Sequence, residues 1–196
     1  MKPLVAATKN TRFYNCNMAT ATAYNDFISA LSARRADREK GAQEMKKHPE
    51  WEATMVATAL NPKAGRKQQI SAWILELYFL EQLPTLGQYL PKILDAIPEI
   101  TNESVRRPLS KLLYYYITAS NTTLETETID RIVAIAFDWL IAPTQVATLN
   151  FALRILNHYR NHKPWIKEEL IHIVKQQLPN ASAGYHAAAR EILKEY

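Results

Sequence analysis

Between Phe137 and Leu193 the chain reads helix, short break, helix, three times over, and this run limits the fold more than any other feature. Pro143-Thr144, Lys163-Pro164 and Pro179-Asn180-Ala181-Ser182 interrupt apolar segments spaced as helices, and no strand pattern lies between them. Proline is tolerated in the first turn of a helix and breaks its interior, so these are corners rather than kinks. A pair of helices this short cannot bury its apolar surface alone and needs the next pair. The run therefore predicts an all-α stack of paired helices.

The same reading extends upstream. The first twenty or so residues are polar, rich in threonine and asparagine, and without a period, which predicts a poorly structured N-terminal arm over residues 1–22 and a single helical domain over 23–196. Thr22 or Asn25 is placed to cap a short helix carrying Phe27, Ile28 and Leu31. A charged helix from about Ala33 to Lys47 ends at His48-Pro49, and Pro49 suits the start of the next. After Asn61-Pro62, one side of the following helix carries Ile70, Trp73, Ile74 and Leu77, and the other carries Leu75, Phe79 and Leu80. A helix apolar on two sides is flanked by helices on both. Leu86, Leu90, Ile93, Leu94 and Ile97 mark its partner, with Pro91 inside the run. Val105, Leu109, Leu112, Leu113, Tyr116 and Ile117 then give an amphipathic helix, capped by Asn102 and bent at Pro108. After a polar loop (Ser120 to Glu125), Ile129, Ile132, Val133, Ala136 and Leu140 return. A last helix, Ala183 to Lys194, is alanine-rich on one side and charged on the other, as a terminal cap would be.

Comparable positions recur at Trp73, Pro108-Leu109, Phe151-Ala152 and Ala188-Ala189, roughly 35 to 43 residues apart, the spacing of HEAT-like repeats. The expected architecture is an α-solenoid of antiparallel helix pairs, a HEAT/armadillo-like superhelix. The competing reading is an irregular helical bundle.

Composition narrows the function classes. Four glycines disfavour hairpin-rich folds and glycine-rich phosphate loops. Cys16 is the single cysteine, so there is no intramolecular disulfide or thiolate zinc site, and a reducing compartment follows. Without a secretory signal or a run of about 18 apolar residues, the expected location is cytoplasmic, with no membrane partner. The net charge of +5 is uneven: residues 1–21 hold +3, residues 22–50 +1, residues 51–150 −2 and residues 151–196 +3. Nucleic-acid binders concentrate base on the folded body, and this central body is slightly acidic.

Three segments carry a closer likeness: Ser104-Val105-Arg106-Arg107-Pro108-Leu109, Phe137-Asp138-Trp139-Leu140-Ile141, and Leu178-Pro179-Asn180-Ala181-Ser182-Ala183-Gly184-Tyr185. They resemble an uncharacterised family of short bacterial HEAT-like proteins, from about Tyr24 to the C-terminus. The resemblance implies a right-handed stack of antiparallel helix pairs and no catalytic set. Members often carry the label adenylosuccinate lyase. Such lyases resemble one another in a loop of the form Ser-Ser-x-Met-Pro-x-Lys-x-Asn, and none of the four methionines here precedes a proline. Lyase activity is not expected.

The remaining constellations each have an ordinary reading. His158 and His162, with His172 and His186 downstream, have a metal-like spacing, but the helix is expected to end between them and no carboxylate completes the set. Asp138 beside Trp139 resembles, faintly, the DNA-alkylation-repair glycosylases of HEAT-like build, with Trp51, Trp73 and Trp165 as stacking candidates. Neighbours on a helix point about 100° apart, so packing for Trp139 and exposure for Asp138 is the simpler expectation. Basic clusters stand out at Lys63, Arg66 and Lys67, at Arg106, Arg107 and Lys111, and at Arg154, Arg160, Lys163 and Lys167. Glu76, Glu103, Glu168 and Glu169 lie among them, as on any solvated helix face. Tyr114-Tyr115-Tyr116 puts Tyr116 on the apolar side and leaves Tyr114 and Tyr115 for an inter-repeat seam or a partner.

The expected function is a non-catalytic protein-interaction or scaffold module without cofactor or metal. Its binding surface is expected on a concave face built from the second helix of each pair. The candidate contact residues are Arg106, Arg107, Lys111, Tyr114, Tyr115, Lys63, Arg66 and Lys67. The partner is expected to be another protein. The other class is a nucleic-acid-binding protein related in fold to those glycosylases.

Overall fold

A computed structural model of the chain describes residues 22–119, 123–142 and 146–194. The N-terminal arm up to residue 21, with Cys16, lies outside the described residues, as do the Pro143-Thr144 break and residues 120–122 of the polar loop. Among the described residues the structure is all-helical and no strand occurs. The α-helices are α1 (residues 22–30), α2 (Arg35–Lys47), α3 (Glu52–Ala59), α4 (Arg66–Leu80), α5 (Leu83–Leu86), α6 (Leu90–Ala96), α7 (Glu103–Thr118), α8 (Thr126–Ile141), α9 (Val146–His158), α10 (Pro164–Gln177) and α11 (Ala183–Leu193).

Prolines set most of these boundaries. Pro49, Pro62, Pro84, Pro91, Pro98, Pro164 and Pro179 each occupy the first or second position of a helical segment, where the missing N–H costs nothing. One consequence departs from the sequence expectation. The stretch holding Leu86 to Ile97 is α5, a 3-10 turn, α6 and another 3-10 turn, rather than a single helix. Pro84, Pro91 and Pro98 restart the chain before any piece grows long. Pro108 is the exception, lying inside α7 and leaving the Ser104 carbonyl without its usual helical donor. Asn102 accepts from the Ser104 N–H at 3.0 Å and Ser182 from that of Tyr185 at 3.3 Å, as N-caps do. Asn25, by contrast, lies within α1, and its carbonyl accepts from Ser29.

The helices pack in a simple order. α2, α4, α7, α9 and α11 form a row in which each packs on the next, while α3 packs on α4, and α8 and α10 pack on α9. α1 is tied in by Tyr24, whose buried hydroxyl donates to Thr58 of α3 at 2.9 Å. One continuous core runs from Tyr24 to Ile192. Both sides of α4 join it: Ile70, Ile74, Leu75, Tyr78 and Phe79 are all buried, at about 1.5–3 kcal/mol for each large apolar side chain. On α7 the amphipathic pattern holds, with Val105, Leu109, Leu112, Leu113 and Ile117 inside and Tyr116 half-buried.

Two glycines matter to this packing. A Cβ on Gly41 of α2 would stand 2.5 Å from Cδ1 of Ile74, so a larger residue there would force the Ile74 side chain to shift. Gly65, at φ +57°, turns the chain into α4 through a backbone region that L side chains rarely adopt. No helix among the described residues is long and apolar enough to cross a membrane.

Candidate anion-binding face

The eight residues singled out in the sequence do not form one cluster. Lys63 is exposed in the turn before α4. Arg66 donates to the Leu31 carbonyl at 3.3 Å and Lys67 to Oδ1 of Asn25 at 3.3 Å, so both fasten the start of α4 to the first helix and its loop. Arg106 turns from its neighbour: Nε donates to the Ile100 carbonyl at 2.6 Å, and Nη1 pairs with Glu103 at 3.1 Å. The divergence is what consecutive positions on a helix impose.

Arg107, Lys111 and Tyr114 do come together, at successive turns on one side of α7. Two grooves open on that side. The first, about 230 Å³, lies over α2, α4 and the start of α7, between Arg38, Trp73, Ser104 and Arg107. The second, about 410 Å³, lies between α7, α9 and α11, with Arg107, Lys111, Phe151 and Arg154 on its walls. Ala147, Gly184, Ala187 and Ala188 keep it open by being small. Arg107 lines both.

Rings and cations alternate along these grooves. The Arg38 guanidinium lies 5.2 Å from the centre of the Trp73 ring, and that of Arg154 lies 5.9 Å from Tyr114. Tyr114 in turn meets Phe151 at 5.9 Å, while the exposed Tyr115 touches it edge-on at 5.4 Å. Such cation–ring contacts hold a guanidinium near an aromatic face at modest energy, about 0.5–1 kcal/mol at exposed sites.

The charges are partly spent on one another. Lys111 donates to Glu76 across the α4–α7 seam at 2.6 Å, and Arg154 stands 3.6 Å from Glu191. Glu103 accepts from Arg106 and from Thr148 at 3.0 Å. Among the described residues, Arg107 has no ion-pair partner and Nε of Arg38 is buried without a hydrogen bond. In the second groove, Oδ1 of Asn150 is likewise a buried acceptor without a donor. A cation without an ion-pair partner beside rings describes a site for a ligand with negative charge and a planar part.

The sequence alone passed over Arg38, whose place above Trp73 arises from packing 35 residues apart in the chain. It named Arg154 among the basic clusters without joining it to Tyr114. The grooves lie on α2, α4, α7, α9 and α11.

The other constellations are separate. Trp139 is buried and Asp138 exposed, although both border a small cavity of about 130 Å³ beside Arg106. Trp51 is buried and stacked on His48 at 4.1 Å, and Trp165 is half-exposed and stacked on Phe137 at 5.5 Å. α9 ends at His158, and His162 lies beyond it, 3.1 Å from Asp130. Among the described residues, no group of three His, Cys, Asp or Glu side chains is placed to hold a metal ion.

No family model, no curated protein and no solved structure matches the chain.

Proposed function

We propose that the chain is a non-catalytic interaction module, an α-solenoid of HEAT-like helix pairs that presents its α2–α4–α7–α9–α11 face to an elongated anionic partner. The observation that carries this reading is the meeting of two grooves at Arg107, with rings and cations on both sides of it. The row of helices, each packed on the next and backed by α3, α8 and α10, supports the repeat architecture, because stacked repeats touch only their neighbours. The roughly 35- to 43-residue recurrence in the sequence supports it too. A binding role suits the polar groups of this face, since Lys111, Glu76, Glu103 and Arg154 are engaged with partners on other turns or helices rather than converging on one point. A fold of this type does not by itself specify a partner; the chemistry of the face does.

Retention on immobilised heparin, a polyanion, tests it. Arg107→Glu should elute at clearly lower salt than the unaltered protein. The charge-matched Lys92→Glu and Lys175→Glu, exposed on α6 and α10, should elute close to it. Equal losses for all three would mean that the protein's overall positive charge, and not this face, does the binding.

A further inference from the structure

We propose that the two grooves joined at Arg107 bind a single-stranded nucleic acid, its phosphates at Arg107, Arg38 and Lys111 and an unpaired base against Phe151 and Tyr114. This rests on the interaction-module reading and names the partner that its binding face fits.

The chemistry of the second groove selects the ligand. An acidic peptide brings carboxylates, which suit the cations, but no flat ring to lay against Phe151. A nucleobase carries a flat face for Phe151 on the groove wall and for Tyr114 beside it. Its phosphate supplies the anion for Arg107. The groove's small-residue wall, Ala147, Ala187 and Ala188 with Gly184, leaves about 410 Å³, which accommodates a base entering from the side of α7. Duplex nucleic acid presents no free base faces and would reach only the cations.

The electrostatics fit a chain that passes over Arg107. Toward α2 it meets Arg38, held above Trp73, and the hydroxyl of Ser104, while Glu103 on the same wall accepts from Arg106 and Thr148. Toward α11 it meets Lys111 and Arg154. The Arg154–Glu191 contact is 3.6 Å long with both side chains substantially exposed, so a phosphate can draw Arg154 away at little expense. Lys111 can bind an anion while still facing Glu76, since an ammonium has three donors.

Fluorescence anisotropy tests this with a labelled oligothymidylate, a hairpin duplex and a polyglutamate peptide of matched charge, each across a salt series. The single strand should bind tightest. Arg107→Gln, at an exposed position, should lower the slope of log affinity against log salt by about 0.7, the loss of one phosphate contact on a single strand. Phe151→Leu should weaken the strand about tenfold and leave that slope unchanged, because a lost stacking ring releases no counterions. Should Phe151→Leu melt the fold, Ala187→Glu supplies the same information: it is exposed on α11 and would fill the groove with negative charge, abolishing strand binding. Duplex or polyglutamate binding as tight as the strand, with Phe151→Leu and Ala187→Glu silent and Arg107 still required, overturns this inference and leaves the module standing. Binding of every probe without dependence on Arg107, or of none, overturns both.

Discussion

Two carboxylates in this molecule each receive hydrogen bonds from two other side chains, in contrasting surroundings. Glu52, at the start of α3, accepts from the Tyr78 hydroxyl at 2.7 Å and from the Gln88 amide at 3.0 Å, and it is only 9% exposed. Asp130, on α8, accepts from Lys163 at 2.6 Å and faces His162 at 3.1 Å, with 38% of its side chain exposed. The buried carboxylate is held by neutral donors and the open one by a cation. In a poorly solvated place, hydrogen bonds count because the alternative is an unsatisfied group. At the rim, water competes and charge pairing contributes little to stability.

The surroundings also act on the neighbours. Burial first, then the nearby Glu52 carboxylate, pushes the Tyr89 phenol up to about 12. Burial and Glu52 raise Tyr78 as well. At the rim the effect is on the acid itself: the hydrogen bond from the Lys163 ammonium, ahead of that from His162, holds Asp130 below its ordinary range.

The largest effect expected from this contrast is on Glu52→Ala, which leaves the buried Tyr78 hydroxyl without this acceptor and releases the exposed Gln88 amide to water. It should cost about 2 kcal/mol of unfolding free energy in a urea titration, and Glu52→Gln about half that, because an amide oxygen still accepts. A loss for Glu52→Ala no greater than for Asp130→Asn would collapse the distinction between the two sites.

Next comes alkaline stability. Tyr89 ionises more readily when unfolded, near 10, than when folded, near 12, so its contribution is complete below pH 10 and disappears as pH rises towards 12. Denaturation should therefore set in over that window. The stability gap between the unaltered protein and Tyr89→Phe should shrink across it, and a constant gap would show that this phenol is not held neutral by the fold.

Asp130→Asn should give the smallest effect, a melting temperature lowered by less than for Glu52→Gln. With a folded value below the ordinary 3.8, Asp130 stabilises above that pH and ceases to do so as pH falls through the lower folded value. The Asp130→Asn deficit should hence be present at neutral pH and vanish in strong acid. A deficit that persisted there would have to come from lost shape rather than lost charge.

Much of the helical framework was legible because it depends on local chemistry. The spacing from Val105 to Ile117 made one face of α7, and the structure buries Val105, Leu109, Leu112, Leu113 and Ile117. Asn102 caps that helix through its own side chain, a contact two residues long. The two-sided α4 announced helices on both sides, and α2, α3 and α7 lie against it. What was hidden depends on partners far along the chain. Nothing around Glu52 signals that Tyr78, 26 residues on, will reach it. The candidate site behaves the same way. Arg107 and Lys111 were visible as a basic cluster on α7, but the choice between Arg106 and Arg107 depended on the helix's rotation against its neighbours. Arg38 and Arg154 entered only when packing set them over Trp73 and Tyr114.

The row of helices has a consequence for how the molecule breathes. α4 is gripped by α2, α3 and α7, and α9 by α7, α8, α10 and α11. α11 has α9 as its chief neighbour, with lighter support from α10 and the turn before it. Detaching α11 opens one main seam and two slight ones, whereas detaching α4 separates three and detaching α9 four. Amide hydrogens should thus exchange with deuterium earlier along α11 than along α4 or α9, which should open only with the whole molecule. The far wall of the second groove is then its least protected element, and a ligand seated there would slow exchange in α11 before anywhere else.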